Sequence, residues 1–383
     1  MEFIIKTNEF VPKLSLLNKV INGKNAMPIL DSIKFNVVVK DGKQYVVLTS
    51  SDGDMFLHIL CTCENADNSF DFCVDSKMLT PVITPLQGKD VKISLDESTH
   101  TIKGEYAKGH FKLPYTETSD YPDALNIDGT HDGEVKLSVE AQRLANAITF
   151  TKSFVASDIL RPQMCGVHLD FSKDGLTSVA TDGHMLVKYQ DANVAIENDD
   201  VYSITIPEKP ISVIHSIISK VENNVTIIFN DKLLIVKNES FKATARLAEG
   251  RYPNYNSVIP TNSSIAIKVN RNELLDAIRH VAPLGSATNE IMSLEVDANV
   301  AKIKADDIDY STSGEESLEC EHTGDNIRIG FKSSNLQQII QNISSEQIII
   351  EMSEPTRAGV FKYDGVIGDG IEYISIAMPM LIS

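Results

Sequence analysis

Leu79-Thr80-Pro81-Val82-Ile83-Thr84-Pro85-Leu86 carries apolar side chains at its first, fourth, fifth and eighth positions, the spacing that lines one face of a helix. The spacing returns at Ile211, Ile214, His215 and Ile218, and again at Leu336, Ile339, Ile340 and Ile343. Upstream of each stands a second helical pattern, with Phe10 and Leu14, Leu144 and Ile148, and Leu274 and Ile278 as core pairs. The chain therefore repeats itself three times, with a period of about 130 residues. β-Branched runs keep step at Val91 to Leu95, Val225 to Phe229 and Ile348 to Met352, and read as strands.

Ser51-Asp52-Gly53-Asp54 and Thr181-Asp182-Gly183-His184 are tight turns in the first two repeats, because glycine accepts the positive φ such a turn needs. Tyr121-Pro122-Asp123 and Tyr252-Pro253-Asn254 close those repeats, which sets domains at 1–126, 127–257 and 258–383. A unit of this length buries a core of its own. The expected fold class is α+β: three similar domains in series, each with two helices on antiparallel sheets. Like domains joined by like rotations trace an arc.

The 383 residues include no tryptophan and carry a formal charge of −18. No apolar run is long enough for a membrane span and no leader precedes the first domain, so a soluble, cytoplasmic protein is expected, with no membrane partner. The scattered Cys61, Cys63, Cys73, Cys165 and Cys320 are expected as free thiols. No phosphate-binding glycine loop and no Gly-x-Ser-x-Gly elbow occurs, so no catalytic residue, cofactor or enzyme activity is expected. His58, Cys61 and Cys63 suggest a metal site, but strand alternation points His58 away from the cysteines. No metal is expected. Asp182 and His184 read as a turn aspartate and an exposed histidine, with no nucleophile to serve. The six helical segments (8–24, 75–90, 139–161, 207–220, 271–280 and 332–345) sum to +5, which leaves −23 for the rest of the chain. Positive charge gathered on helices could hold nucleic acid there and repel it elsewhere.

Thr181-Asp182-Gly183-His184-Met185-Leu186, Gly250-Arg251-Tyr252-Pro253-Asn254-Tyr255 and Met378-Pro379-Met380, with Met27-Pro28-Ile29-Leu30, resemble the marker segments of the bacterial sliding clamp, the β subunit of DNA polymerase III. The likeness spans the whole chain. It implies the DNA clamp fold and a head-to-tail homodimer, a dimeric ring with helices inside that encircles double-stranded DNA without sequence preference. It also implies a processivity factor that tethers the replicative polymerase α subunit, the clamp loader and other clamp-binding-motif proteins. The DNA-binding candidates are Lys13, Lys19, Lys24, Arg143, Lys152, Arg161, Lys209, Lys220, Arg271, Arg279 and Lys332.

The resemblance further implies a peptide-binding pocket lined by Met164, Thr181, Gly183, His184, Met185, Leu186, Pro253, Val258, Ile376, Met378, Pro379 and Met380. Thioethers are flexible and polarizable, which suits a groove that accepts related apolar anchors. Met185 and Leu381 stand where the family usually has arginine, so weaker selection for acidic peptide ends is expected. For closure, Lys108, His110, Phe111 and Leu113 of the first domain face Leu284, Asp307, Glu315, Glu316 and Glu319 of the third, joining basic and apolar surface to acidic and apolar surface. The competing expectation is a peptide-binding adaptor of the same fold that never meets DNA.

Overall fold

The computed structural model describes every residue except Lys24, Ala26, Asp41, Ile159 and Ser383. The described residues run three times through one order: a strand, a helix, four strands, a second helix and three strands. The six α-helices are α1 (Thr7–Asn18), α2 (Ser76–Ile83), α3 (Ala141–Thr151), α4 (Glu208–Ile218), α5 (Arg271–Val281) and α6 (Ser333–Asn342). The β-branched runs form strands Asp90–Asp96, Asn224–Phe229 and Gln347–Met352.

Local chemistry places the helix starts. Asp75 Oδ1 accepts from the N–H groups of Lys77 (2.8 Å) and Met78 (3.1 Å), and Asn270 Oδ1 accepts from those of Asn272 (3.0 Å) and Glu273 (3.2 Å). Four helices end earlier than their sequence patterns: α2 gives way at Thr84 to a 3-10 turn that carries Leu86, and α6 stops at Asn342 with Ile343 extended. α1 stops at Asn18, not near residue 24, because Lys19 and Val20 bond back to Leu16 and Leu17 in a tightened turn and Gly23 takes a φ of +65°. α3 gives way at Lys152 to a short 3-10 turn, which drives Phe154 into full burial.

By packing, the chain forms two compact units, 1–145 with 209–247, and 146–208 with 248–383. Each holds one twelve-stranded sheet system. The cut falls within the middle repeat, and strand pairing supplies the reason. Within the first unit, Phe241–Arg246, the last strand of repeat two, pairs antiparallel with Met55–Glu64, the fourth strand of repeat one. Within the second unit, Ile371–Ala377, the last strand of repeat three, pairs with Met185–Asp191, the fourth strand of repeat two. Each splice extends a sheet across a repeat boundary, so hydrogen bonding continues where the sequence pattern breaks.

Two edges carry the same strand types without such a partner. Gly109–Pro114, the last strand of repeat one, ends its sheet. Thr312–Thr323, the fourth strand of repeat three, pairs with Val300–Asp307 from Thr312 to Glu319, and only residues 320–323 engage Ile265–Asn270 on the other side. Among the described residues, no strand covers that other side from 312 to 319.

The segment after each last strand also recurs. Cys73 N donates to Thr116 O (2.8 Å), Ala248 N to Thr205 O (2.9 Å) and Met380 N to Gly330 O (2.8 Å). In the first two repeats a tyrosine follows and covers the same strand position. Lys34 Nζ lies 5.7 Å from the Tyr121 ring centroid, and the His168 ring stacks on Tyr252 at 4.2 Å.

His58, on strand Met55–Glu64, faces Thr49 Oγ1 at 2.9 Å. Burial, with Lys242 and Lys34 nearby, pushes its imidazole down to about 4. A histidine with a depressed folded pKa supports the fold fully above its unfolded value near 6.5 and loses that support as pH falls to the folded value. Urea unfolding should therefore lose up to about 3 kcal/mol between pH ~7 and pH ~4 from this site. His58→Gln should flatten that slope, and an unchanged slope would assign the loss elsewhere. On the same strand, burial pushes the Cys61 and Cys63 thiols up to about 12 and about 11, which keeps them protonated.

Candidate functional site

Turn chemistry builds one wall of a groove in the second unit. Asp182 Oδ1 accepts from His184 N (2.8 Å) and Met185 N (2.7 Å), while Thr181 Oγ1 donates to Met185 O (2.6 Å) and accepts from Gly183 N (3.0 Å). Gly183 has a φ of +91°, and a Cβ there would lie 3.2 Å from Arg161 Nη1 and 3.8 Å from Met164 Cε. The next strand carries Leu186 opposite Ile376, and Met378 N donates to His184 O (2.8 Å). The result is a cavity of about 240 Å³ lined by Met164, Thr181, Gly183, His184, Met185, Leu186, Pro253, Asn254, Tyr255, Val258, Ile376 and Met378.

Ten of the twelve residues picked from sequence for this pocket line it. Pro379 and Met380 do not, because the backbone bond to Gly330 draws the segment after Met378 along strand Ile327–Lys332. Asn254 and Tyr255 also line it; both stand in the Gly250–Tyr255 segment but were not among the residues picked. Met185 is buried and packs into a core with Phe154, Ile278 and Phe361. It is wall and not rim, so an arginine there would disturb packing before it touched a peptide. A second cavity of about 390 Å³ shares Val258 and Met378 and is lined further by Thr261, Thr356, Arg357 and Ala358, among others.

The first splice has the same layout with different chemistry. There Arg246 N donates to Asp54 O (3.0 Å), as Met378 N does to His184 O, and Arg246 Nε meets the Asp54 carboxylate at 3.1 Å. An ion pair crosses where the second splice leaves a thioether and an imidazole beside an apolar hollow.

The cations chosen for nucleic acid are more committed than sequence suggested. Over the observed helices the net charge is +2, not +5: Lys19, Lys89, Arg161, Lys220 and Lys332 fall beyond helix ends and Lys152 lies in the 3-10 turn, while the acids Asp75, Asp90, Glu140 and Asp158 also fall outside. Lys24 lies outside the described residues. Lys209 Nζ holds Val20 O, Asn22 Oδ1 and Asp52 Oδ2, each at 2.5 Å, which ties α4 to the first repeat. Arg271 donates to the α6 carbonyls Ile340 (3.1 Å) and Gln341 (3.3 Å). Lys13 is bound to Glu9 and to Leu60 O, Lys19 reaches Ser216 Oγ (2.8 Å), and Arg143 meets Glu140 (3.0 Å). Arg161 pairs with Asp158 (3.0 Å) at the groove mouth, while Arg279 meets Asp276 (3.5 Å) and Lys332 meets Glu290 (3.9 Å). Lys220 is exposed.

On the closing edges, Phe111 and Leu113 are half-buried and Lys108 and His110 exposed, with the Phe111 ring resting where Gly104 leaves room. Leu284 packs over Gly314 in the same way. Glu319 is exposed, while Glu315 meets Lys302 (3.7 Å) and Glu316 meets His280 (3.1 Å). Asp307 is the exception. It is buried, and its Oδ1 accepts from Asp309 N (2.9 Å) and Tyr310 N (3.2 Å), a third copy of the Asp52 and Asp182 turn. Without a glycine that turn was invisible in the sequence; its connection is longer, and the positive φ falls at Ser311, four residues past the aspartate, at 56°.

Among the described residues, no group of three or more His, Cys, Asp or Glu side chains could hold a metal ion, and no helix is long and apolar enough to cross a membrane.

Family models for the N-terminal, central and C-terminal domains of the DNA polymerase III beta subunit match residues 1–127, 138–254 and 256–375. A beta sliding clamp of Staphylococcus aureus is 27% identical over 378 residues, covering 95% of this chain and 96% of the relative. One from Staphylococcus epidermidis is 26% identical over 362 residues, covering 92% of each. Two solved structures share the fold across 100% of both chains: a Pseudomonas aeruginosa sliding clamp bound to griselimycin (TM-score 0.90, 22% identity) and a Bacillus subtilis DNA polymerase sliding clamp (TM-score 0.88, 21% identity).

Proposed function

The chain belongs to the DNA polymerase III beta subunit family, and from that premise we propose that it is a sliding clamp, a non-catalytic processivity factor of the cytoplasm that encircles duplex DNA. Two copies meet head to tail and close a ring of six domains, with domains at 1–126, 127–257 and 258–383. The replicative polymerase α subunit, the clamp loader and other proteins bearing a clamp-binding motif take turns in the groove between His184 and Met378.

The observation that carries this reading is the splice made twice within one chain, last strand to fourth strand of the preceding repeat. The two strands left over are of the two types the splice joins, so a second copy completes the series. Carrying the register of Phe241–Arg246 on Met55–Glu64 across sets Gly109 opposite Glu316, His110 opposite Glu315, Phe111 opposite Gly314 and Lys112 opposite Ser313. Pairing also hides two edges that would invite aggregation.

The helix cations support sliding more than gripping. Most are engaged with carboxylates or carbonyls of their own chain, so few charges remain to bind phosphates, and retention rests on topology. Fluorescently labelled protein loaded on a nicked circle should stay through gel filtration and should run off once the circle is cut. Equal loss from circle and line would remove the ring and leave a peptide-binding protein.

A further inference from the structure

Tyr255 is the one aromatic wall of the groove, and it does not stand by packing alone. Its hydroxyl donates to Asp170 Oδ2 at 2.7 Å. The other carboxylate oxygen of Asp170 accepts from Ser203 Oγ (2.5 Å) and from His168 Nε2 (3.1 Å). His168 Nδ1 lies 2.9 Å from Thr205 Oγ1, and the imidazole stacks on Tyr252 with the planes 8° apart. Two adjacent strands, Gly166–Ser172 and Tyr202–Pro207, are thus tied through one carboxylate to the segment that forms the groove's side.

The repeats supply an internal comparison. Strand register aligns Asp170, opposite Ser203, with Asn36, opposite Asp71, and with Glu295, opposite Arg328. Ala124 follows Tyr121-Pro122-Asp123 where Tyr255 follows Tyr252-Pro253-Asn254. In the third repeat Glu295 is taken by Arg328 at 2.9 Å. Among the described residues, only Asp170 of the three positions is bonded to a tyrosine, and that tyrosine stands in the wall of the apolar groove described above.

We propose that Asp170 is a positioning residue for partner recognition, holding the Tyr255 ring upright so that the groove is preformed for the apolar anchor of a bound peptide. The inference rests on the peptide-groove reading. Asp170 is largely buried, and among the described residues the lining residue it is bonded to is Tyr255, so it acts on a ligand through that ring. Burial alone would raise its pKa, but the hydrogen bonds from His168, Ser203 and Tyr255 outweigh it and hold the carboxyl below its usual range, ionised at neutral pH. A charged acceptor makes the stronger hydrogen bond. A ring fixed beforehand spares the peptide the cost of ordering it.

The test is a double-mutant cycle on peptide affinity, using fluorescence anisotropy of a fluorescein-labelled peptide with leucine and phenylalanine anchors and the full-length protein. Tyr255→Phe keeps the ring and removes its tether, and Asp170→Asn keeps the shape and weakens the acceptor. Each should weaken binding roughly five- to tenfold, and the double variant should bind no worse than the weaker single one, since both break one link. Multiplying effects, or wild-type affinity for Tyr255→Phe, would overturn the proposal, and so would an Asp170→Asn loss confined to the melting temperature. If the wild-type protein fails to bind the peptide, the groove reading itself falls, a result separate from any ranking of the variants.

Discussion

Lys112→Pro should leave each chain folded and separate the dimer into monomers. Tyr115 N donates to His100 O (3.1 Å), toward the neighbouring strand of its own sheet. In an antiparallel ladder successive N–H groups alternate sides, so Leu113 and Phe111 also point inward and Lys112 points out, on the parity where Pro114 already stands. Proline at 112 therefore removes an outward donor and spares the internal ladder. Leaving the opposing carbonyl unpaired costs about 1–3 kcal/mol. Twofold symmetry doubles this to roughly 2–6 kcal/mol, between about thirtyfold and about twenty-thousandfold in the dimer dissociation constant. Sedimentation equilibrium reads that shift, and retention on nicked circles should fall with it. A variant that stays dimeric at wild-type concentrations would show that this edge does not close the ring.

Val258→Asp should abolish measurable binding of hydrophobic peptides with little change in melting temperature. Val258 borders both cavities and is 48% exposed, so the fold loses little when its methyls go. A bound peptide would press an apolar anchor against the new carboxylate and strip its water, a cost of at least about 2 kcal/mol, or a weakening of thirtyfold or more. Fluorescence anisotropy with the peptide used above measures it. Wild-type affinity would move the binding surface away from this groove. Leu186→Asp is the contrasting variant: Leu186 is 2% exposed and packed against Tyr252 and Ile376, and a charge there should cost stability first.

How far the sequence could be read depended on the distance over which each feature is decided. The α2 face at Leu79 and Ile83 and the Asp52 and Asp182 turns were legible because spacing and a glycine encode them within a few residues. The turn at Asp307 was not, since its capping carboxylate is the same but a serine carries the positive φ. Helix ends at Asn18 and Thr151 ran short of their patterns: apolar periodicity continues past a tightened turn, and only packing says where Phe154 goes. Of the ten lining residues named from sequence, seven stand in the marker segments, and Met164, Val258 and Ile376 lie outside them. Tyr255 closes a marker segment but gave no sign of its bond to Asp170, 85 positions earlier.

From its sequence alone this chain declared a threefold repeat, its helix faces, two of three aspartate turns and its family, because all of these rest on side-chain order along the backbone. Tertiary structure alone decided which strands splice, that Lys209 is held by Asp52, and that one carboxylate braces one tyrosine. Backbone donors and acceptors are identical at every residue, so a strand's partner is chosen by the register of its neighbours. A charge's task is chosen by whatever the fold brings within hydrogen-bonding distance of it.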